Sequence, residues 1–197
     1  MKTILQIMMA VLLTFGIATA QTFTFTNCGQ TGYTGPSQSQ INTEYGSSNT
    51  LYNQVTSTSG IQYWTVPTTS NYTIEVHGAE GGYSNNYGYY GGDGAMMSGD
   101  FNFTAGTQLK ILVGQEGYAN TYDGGGGGGT FVTLVDNTPL IIAGGGGGGS
   151  ASGYNGTGEM DANITTTGSA TATCGLGGTN GSGGAGCTSG GGGGLTG

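Results

Sequence analysis

Side chains able to do chemistry are scarce in this 197-residue sequence. His77 is the single histidine, arginine is absent, and the two basic residues are Lys2 and Lys110. Ten carboxylates and three cysteines complete the set. A serine or cysteine nucleophile would need His77 beside it as base, and no Gly-x-Ser-x-Gly elbow presents one. Paired carboxylates could cleave glycosides; Glu75 and Glu80 straddle a turn, and Asp93 and Asp100 flank Ala95-Met96-Met97. Nothing else in the sequence supports either pair, so the acids read as solvated surface. Calcium at Asp93 or Asp123 lacks a loop signature. Gly-x-Gly-x-x-Gly falls inside the run Gly124–Gly129, where repeated glycine makes it inevitable. A kinase would also need a lysine after that loop, a His-Arg-Asp loop and an Asp-Phe-Gly site, whereas Lys110 precedes it. No Gly-Lys-Ser/Thr forms a phosphate loop. The expectation is a non-enzyme with no cofactor and no metal.

Cys174 and Cys187 are natural disulfide partners across a short Gly-rich loop in an oxidising compartment. Cys28 is then left over, free or bridging two copies. A zinc site is the alternative, but the sequence has neither Cys-x-x-Cys nor paired histidines.

Export is written at the start. Lys2 precedes a mostly apolar stretch, Ile4 to Ile17, and Ala18-Thr19-Ala20 fits a cleavage site between Ala20 and Gln21. The stretch is short for a membrane span, and no later apolar run is longer. Residues 1–20 therefore read as a signal peptide, and the product as secreted or cell-surface. Lys110 remains as the mature chain's only basic side chain against ten carboxylates. Such a balance excludes a nucleic-acid binder, which must neutralise phosphates.

Elements that could position a site are strands. Thr22–Thr26 alternates strictly, Gly60–Pro67 is β-branched and aromatic, and Asn71–His77 alternates again. Phe101 with Phe103, Leu109–Val113, Phe131–Val135 and Leu140–Ala143 follow. No mature segment holds a 3.6-residue period, and residues 27–53 read as a polar, turn-rich stretch. Seven short strands separated by turn signals predict an antiparallel β-sandwich. Residues 21–143 would form it, with Gly-rich inserts at 78–99 and 114–130. Residues 144–197 form a Gly-rich segment.

Glycine supplies 46 residues. The runs Gly124–Gly129 and Gly144–Gly149 abut strands directly, which flexible linkers need not do. Oligoglycine can adopt the extended left-handed helix of three residues per turn. That helix makes no internal hydrogen bonds, so its buried N–H and C=O groups need outside partners. Neighbouring glycine helices can supply them, because only glycine lets backbones approach so closely. Tyr83, Tyr87, Tyr89 and Tyr90 stand in the first insert on a Gly and Asn background, a paratope-like composition. They read as contact residues or as packing for the glycine helices. Trp64 reads as a core anchor. Sequons stand at Asn71, Asn102, Asn155, Asn163 and Asn180.

A family pattern runs through these segments. Its pieces are Phe25-Thr26-Asn27-Cys28-Gly29 with Gly35-Pro36, then Gly60–Pro67, Gly78–Gly82, Ile111–Gly117 and Gly124–Thr130. Pro139–Gly144 and Cys187-Thr188-Ser189 before Gly190–Gly194 close the series. In this order they resemble the glycine-rich extracellular region of the anaplastic lymphoma kinase and leukocyte receptor tyrosine kinase family, and also bacterial Gly-rich surface proteins. The resemblance implies a tumour-necrosis-factor-like β-sandwich beside a bundle of polyglycine helices, with no α-helix beyond the signal peptide. It implies an extracellular ligand-binding surface. Ile41 stands where the family has the partner of Cys28, and the insert before Gly124 is shorter here. The resemblance also implies that the segment 144–197 is cut short and that any kinase would lie beyond Gly197.

The expected function is a non-enzymatic recognition module for a protein ligand, favouring a basic one because the surface is acidic. The alternative is a surface adhesin or structural Gly-rich protein binding glycan, ice or matrix. No nucleic acid and no membrane span are expected, and Cys28 offers a route to a dimer.

Overall fold

A computed structural model of the chain describes residues 20–86, 88–149 and 161–165. The fold is all-β apart from one short helix. Five antiparallel strands form one sheet in the order β1 (Val55–Thr58), β2 (Ile61–Thr65), β5 (Gln108–Leu112), β6 (Thr130–Leu134), β7 (Pro139–Ala143). A second sheet pairs β3 (Ser70–His77) with β4 (Met96–Phe103). It lies over one side of the first sheet, with β4 on β7 and β3 on β7 and β6. Alternate apolar residues meet between the layers: Tyr72, Ile74 and Val76 from β3, and Leu109, Ile111, Val132 and Ile141 from the larger sheet.

Three sequence expectations change. The stretch 27–53, read as helix-free, contains α1 (Gln38–Glu44). Ser37 caps it, and Gln40 reaches back to the Ser37 backbone N–H, a capping box. Ile41 and Tyr45, four residues apart, both turn into the core. Val55–Thr58 is a strand, joined to β2 by a turn in which Ser59 and Gly60 both hold positive φ (52° and 79°), the hairpin geometry of type I′. Thr22–Thr26 joins no sheet. Its alternation survives, since Phe23 and Phe25 turn onto Trp64 with ring centroids 4.8 and 5.8 Å away. Side chains, however, take its backbone groups. Thr26 N–H donates to the Tyr45 hydroxyl (3.0 Å), and Gln62 Nε2 donates to the Thr26 carbonyl (2.7 Å).

Tyr45 also donates to Gln62 Oε1 (2.7 Å), which closes a buried polar network among N-terminal segment, helix and β2. Burial pushes the Tyr45 hydroxyl up to about 12 from its ordinary 10.0. Cys28 lies beside this network, nine-tenths buried and unbridged, and burial raises its thiol as well. A bond between copies through Cys28 would require this packed corner to open.

The glycine segments form an ordered bundle at one end of the sandwich. Five extended stretches, 78–82, 91–95, 113–118, 124–129 and 144–149, run side by side. Their hydrogen bonds repeat every third residue: Gly78 and Gly81 donate to Ala95 and Gly92, Ala79 and Gly82 to Gly128 and Gly125, and Gly146 and Gly149 to Ala79 and Gly82. That period is the signature of the left-handed extended helix. Residues 78–82 bond to all four neighbours, since Gly117 donates to the Glu80 carbonyl, and so form the centre.

Space, not backbone twist, demands glycine here. None of the bundle glycines between 78 and 82 or 124 and 149 has positive φ. A Cβ on Gly81 would lie 1.9 Å from the Gly147 carbonyl oxygen, and one on Gly124 1.8 Å from that of Gly82. Gly46 differs, with its nearest atom 3.7 Å away. Gly81→Ala is therefore expected to lower stability by about 3 kcal/mol or more by overpacking, while Gly46→Ala is neutral or slightly stabilising; thermal unfolding of the pair checks this.

Tyr45 gives a second prediction. Its folded-state pKa lies above its unfolded value, so its contribution is complete below pH 10 and is lost as pH rises through about 12. Tyr45→Phe should cost about 1–3 kcal/mol near neutrality, by leaving Thr26 N–H and Gln62 Oε1 unpaired. Denaturant titrations between pH 8 and 12 should show a flatter alkaline decline than in the parent.

Candidate functional site

The bundle carries a tyrosine-rich tip at its end away from the sandwich. Two loops make it. The first leaves the central helix at Gly82 and turns through residues 83–90. The second joins the helix at 113–118 to the one at 124–129. Ser84, fully buried, holds them together. It bridges antiparallel to Tyr89 and parallel to Asn120, and its hydroxyl donates to the Tyr122 carbonyl. Asn85 and Asn86 N–H groups donate to the Asn120 and Thr121 carbonyls (2.8 and 2.9 Å), and Asn120 N–H donates to that of Tyr83 (3.0 Å).

Five tyrosines gather on this base. Tyr83 and Tyr90 pack with ring centroids 5.1 Å apart and an interplanar angle of 53°. Tyr83 is half-buried under Tyr90, whereas Tyr90 and Tyr118 are 60% and 79% exposed. Tyr89 and Tyr122 are exposed as well. Of the four tyrosines singled out in the sequence, the structure brings Tyr83, Tyr89 and Tyr90 together, and Tyr87 lies outside the described residues. Tyr118 and Tyr122 are 28 or more positions from the 83–90 cluster and were not legible as members. Their only signal is a similar Gly/Asn background.

A six-residue glycine helix rising ~3.1 Å per residue sets the tip roughly 19 Å beyond the ends of the strands. Exposed Glu80 and Glu116 stand on the bundle, and Asp123 begins the Gly124 run. Among the described residues the one basic side chain is Lys110, on β5, which donates to Asn137 Oδ1 at the β6–β7 turn, away from the bundle. Aromatic faces with nearby carboxylates suit cations and basic peptide side chains.

The other candidates are elsewhere. His77 Nε2 lies 2.9 Å from Glu75 Oε1 on the exposed face of β3, with no nucleophile bonded to it. Thr73 Oγ1 donates to Asp100 Oδ1 (2.6 Å) on the same face. Asp93 and Asp100 thus sit apart, one on the bundle and one on β4. Among the described residues no three His, Cys, Asp or Glu side chains cluster as a metal site. Trp64 is 4% exposed, ringed by Phe23, Phe25 and Tyr72, as a core anchor. Sequons Asn71 and Asn102 lie directly opposite each other on β3 and β4, both exposed. Cys174, Cys187, residues 1–19, read from the sequence as a signal peptide, and most of 150–197 lie outside the described residues. No described helix is long and apolar enough to cross a membrane.

No family model matches the sequence. Over 103 residues the chain is 32% identical to the leukocyte tyrosine kinase receptor of Mus musculus, a stretch covering 51% of this chain and 12% of that receptor. The similarity supports a region related to part of a receptor.

Proposed function

We propose that the chain is a non-enzymatic extracellular recognition module that meets a basic protein ligand at the tyrosine tip of its glycine bundle. The observation carrying this reading is the placement of five tyrosines on a hydrogen-bonded base at the far end of the bundle. Tyrosine offers large amphipathic area with few rotors to immobilise, so little conformational entropy is lost on contact. A backbone-bonded bundle preorganises those rings, which lowers the ordering cost of association. Excess carboxylates favour a cationic partner and speed encounter at low salt. The partial likeness to a receptor supports an extracellular setting.

Surface-binding measurements against a panel of secreted proteins spanning acidic to basic charge test this. Basic members should bind and weaken as salt rises. Tyr90→Ser with Tyr118→Ser should reduce that binding by about tenfold or more, the effect of hot-spot aromatics. Tyr33→Ser, changing a tyrosine 99% exposed elsewhere, should leave it unchanged. Equal losses from both variants, or salt-insensitive binding to glycans alone, would sink the proposal and favour an adhesin.

A further inference from the structure

A different surface, on the sandwich, leaves a strand edge without a backbone partner among the described residues. Among the described residues the second sheet has two strands where the first has five. Beyond β3, the N-terminal segment 21–25 is the next stretch lying over the larger sheet. Between the two runs a cavity of about 490 Å³, floored by Leu109, Ile111 and Val132, with Trp64 and Phe23 at the far wall.

The register of β3 shows which backbone groups face this gap. Gly78 N–H donates to the Ala95 carbonyl (2.9 Å), extending the ladder in which His77 opposes Met96. Antiparallel pairs alternate between hydrogen-bonded and non-bonded. Bonded pairs with β4 therefore fall at Tyr72, Ile74 and Val76. The N–H and C=O groups of Thr73 and Glu75, and the N–H of His77, point the other way, along the cavity. Thr130 Oγ1 donating to the His77 carbonyl from that side agrees with this phase. No other described residue supplies these groups with a backbone partner. Trp64 also lines this cavity, and its indole N–H, shielded from the cavity itself, is buried with no acceptor among the described residues. Buried donors without partners are uncommon.

We infer that this gap receives an extended strand from a partner protein, which adds to the free edge of β3 and places alternate apolar side chains on the cavity floor. Main-chain bonds to an exposed edge with pockets for alternate side chains are a recurrent mode of peptide recognition. From Tyr72 to His77 the edge spans about 20 Å at ~3.3 Å per residue, enough for five or six partner residues. Charge selects the partner. Outward residues beside the edge are Glu75, His77 and, across the ladder, Asp100. The incoming strand's outward positions should therefore be basic. A second copy docking the same edge would set Glu75 against another acidic face in a chain of net charge −8, which disfavours self-pairing.

The probe is a seven-residue peptide of alternating valine and lysine, compared with alternating valine and aspartate and with a version having adjacent valines. Hydrogen exchange read by NMR on the whole chain should show protection of the Thr73, Glu75 and His77 amides, with Tyr72, Ile74 and Val76 little changed. The indole N–H resonance of Trp64, the only tryptophan, should shift at the same peptide concentration. The aspartate peptide should bind about tenfold more weakly at low salt, and Glu75→Lys should reverse that order. Three outcomes overturn the inference: protection of the three amides before peptide is added, the same protection accompanied by a doubled mass, and binding of all three peptides alike. Failure of the tyrosine variants leaves this result untouched, because the tip plays no part in it.

Discussion

Close contact between backbones is the constraint on which the molecule rests. In the bundle, carbonyl oxygens occupy the space where side chains would begin, about 2 Å from where a Cβ on Gly81, Gly117 or Gly148 would lie. Each chain direction is fixed by hydrogen bonds that only such proximity allows. Ordering glycine costs more entropy than ordering any other residue, and each bond returns only about 0.5–1.5 kcal/mol net. A lone glycine helix would not persist. Five together, each able to bond two or more neighbours, have no exposed backbone face at the centre.

Sandwich and bundle impose order on each other. β3 feeds the central helix at Gly78, and the helix at 91–95 returns into β4. β5 runs into 113–118, 124–129 returns into β6, and β7 runs into 144–149. Every helix is thus clamped at one end by a strand whose position is set by side-chain packing. Central 78–82 bonds to helices attached to both sheets, so the bundle also staples the layers. The small second sheet, with few interlayer neighbours, depends on that staple.

Much of this architecture was legible because its signals are local. Alternation in Asn71–His77 and the apolar runs at 109–113 and 140–143 declare strands. Glycine runs abutting them declare close backbone approach. Trp64 reads as core because a large ring among β-branched neighbours has few other uses. The failures have specific causes. The capping pair Ser37 and Gln40 was present, but α1 is too short to display a period. Thr22–Thr26 alternates as a strand does, yet the Tyr45 and Gln62 side chains claim its backbone groups, a competition invisible along one segment. Ser84, Tyr118 and Tyr122 belong to the tip only because the bundle folds two distant loops against each other. Local pattern carries no such distance information.

The three-residue repeat of the glycine helices has a consequence for how such a chain can change length. One residue inserted into Gly124–Gly129 would turn everything after it by a third of a revolution and aim each carbonyl at the wrong neighbour. Three residues inserted together would restore every face and lengthen the helix by about 9 Å. The bundle therefore admits length changes in steps of three residues, which keep every carbonyl aimed at its neighbour.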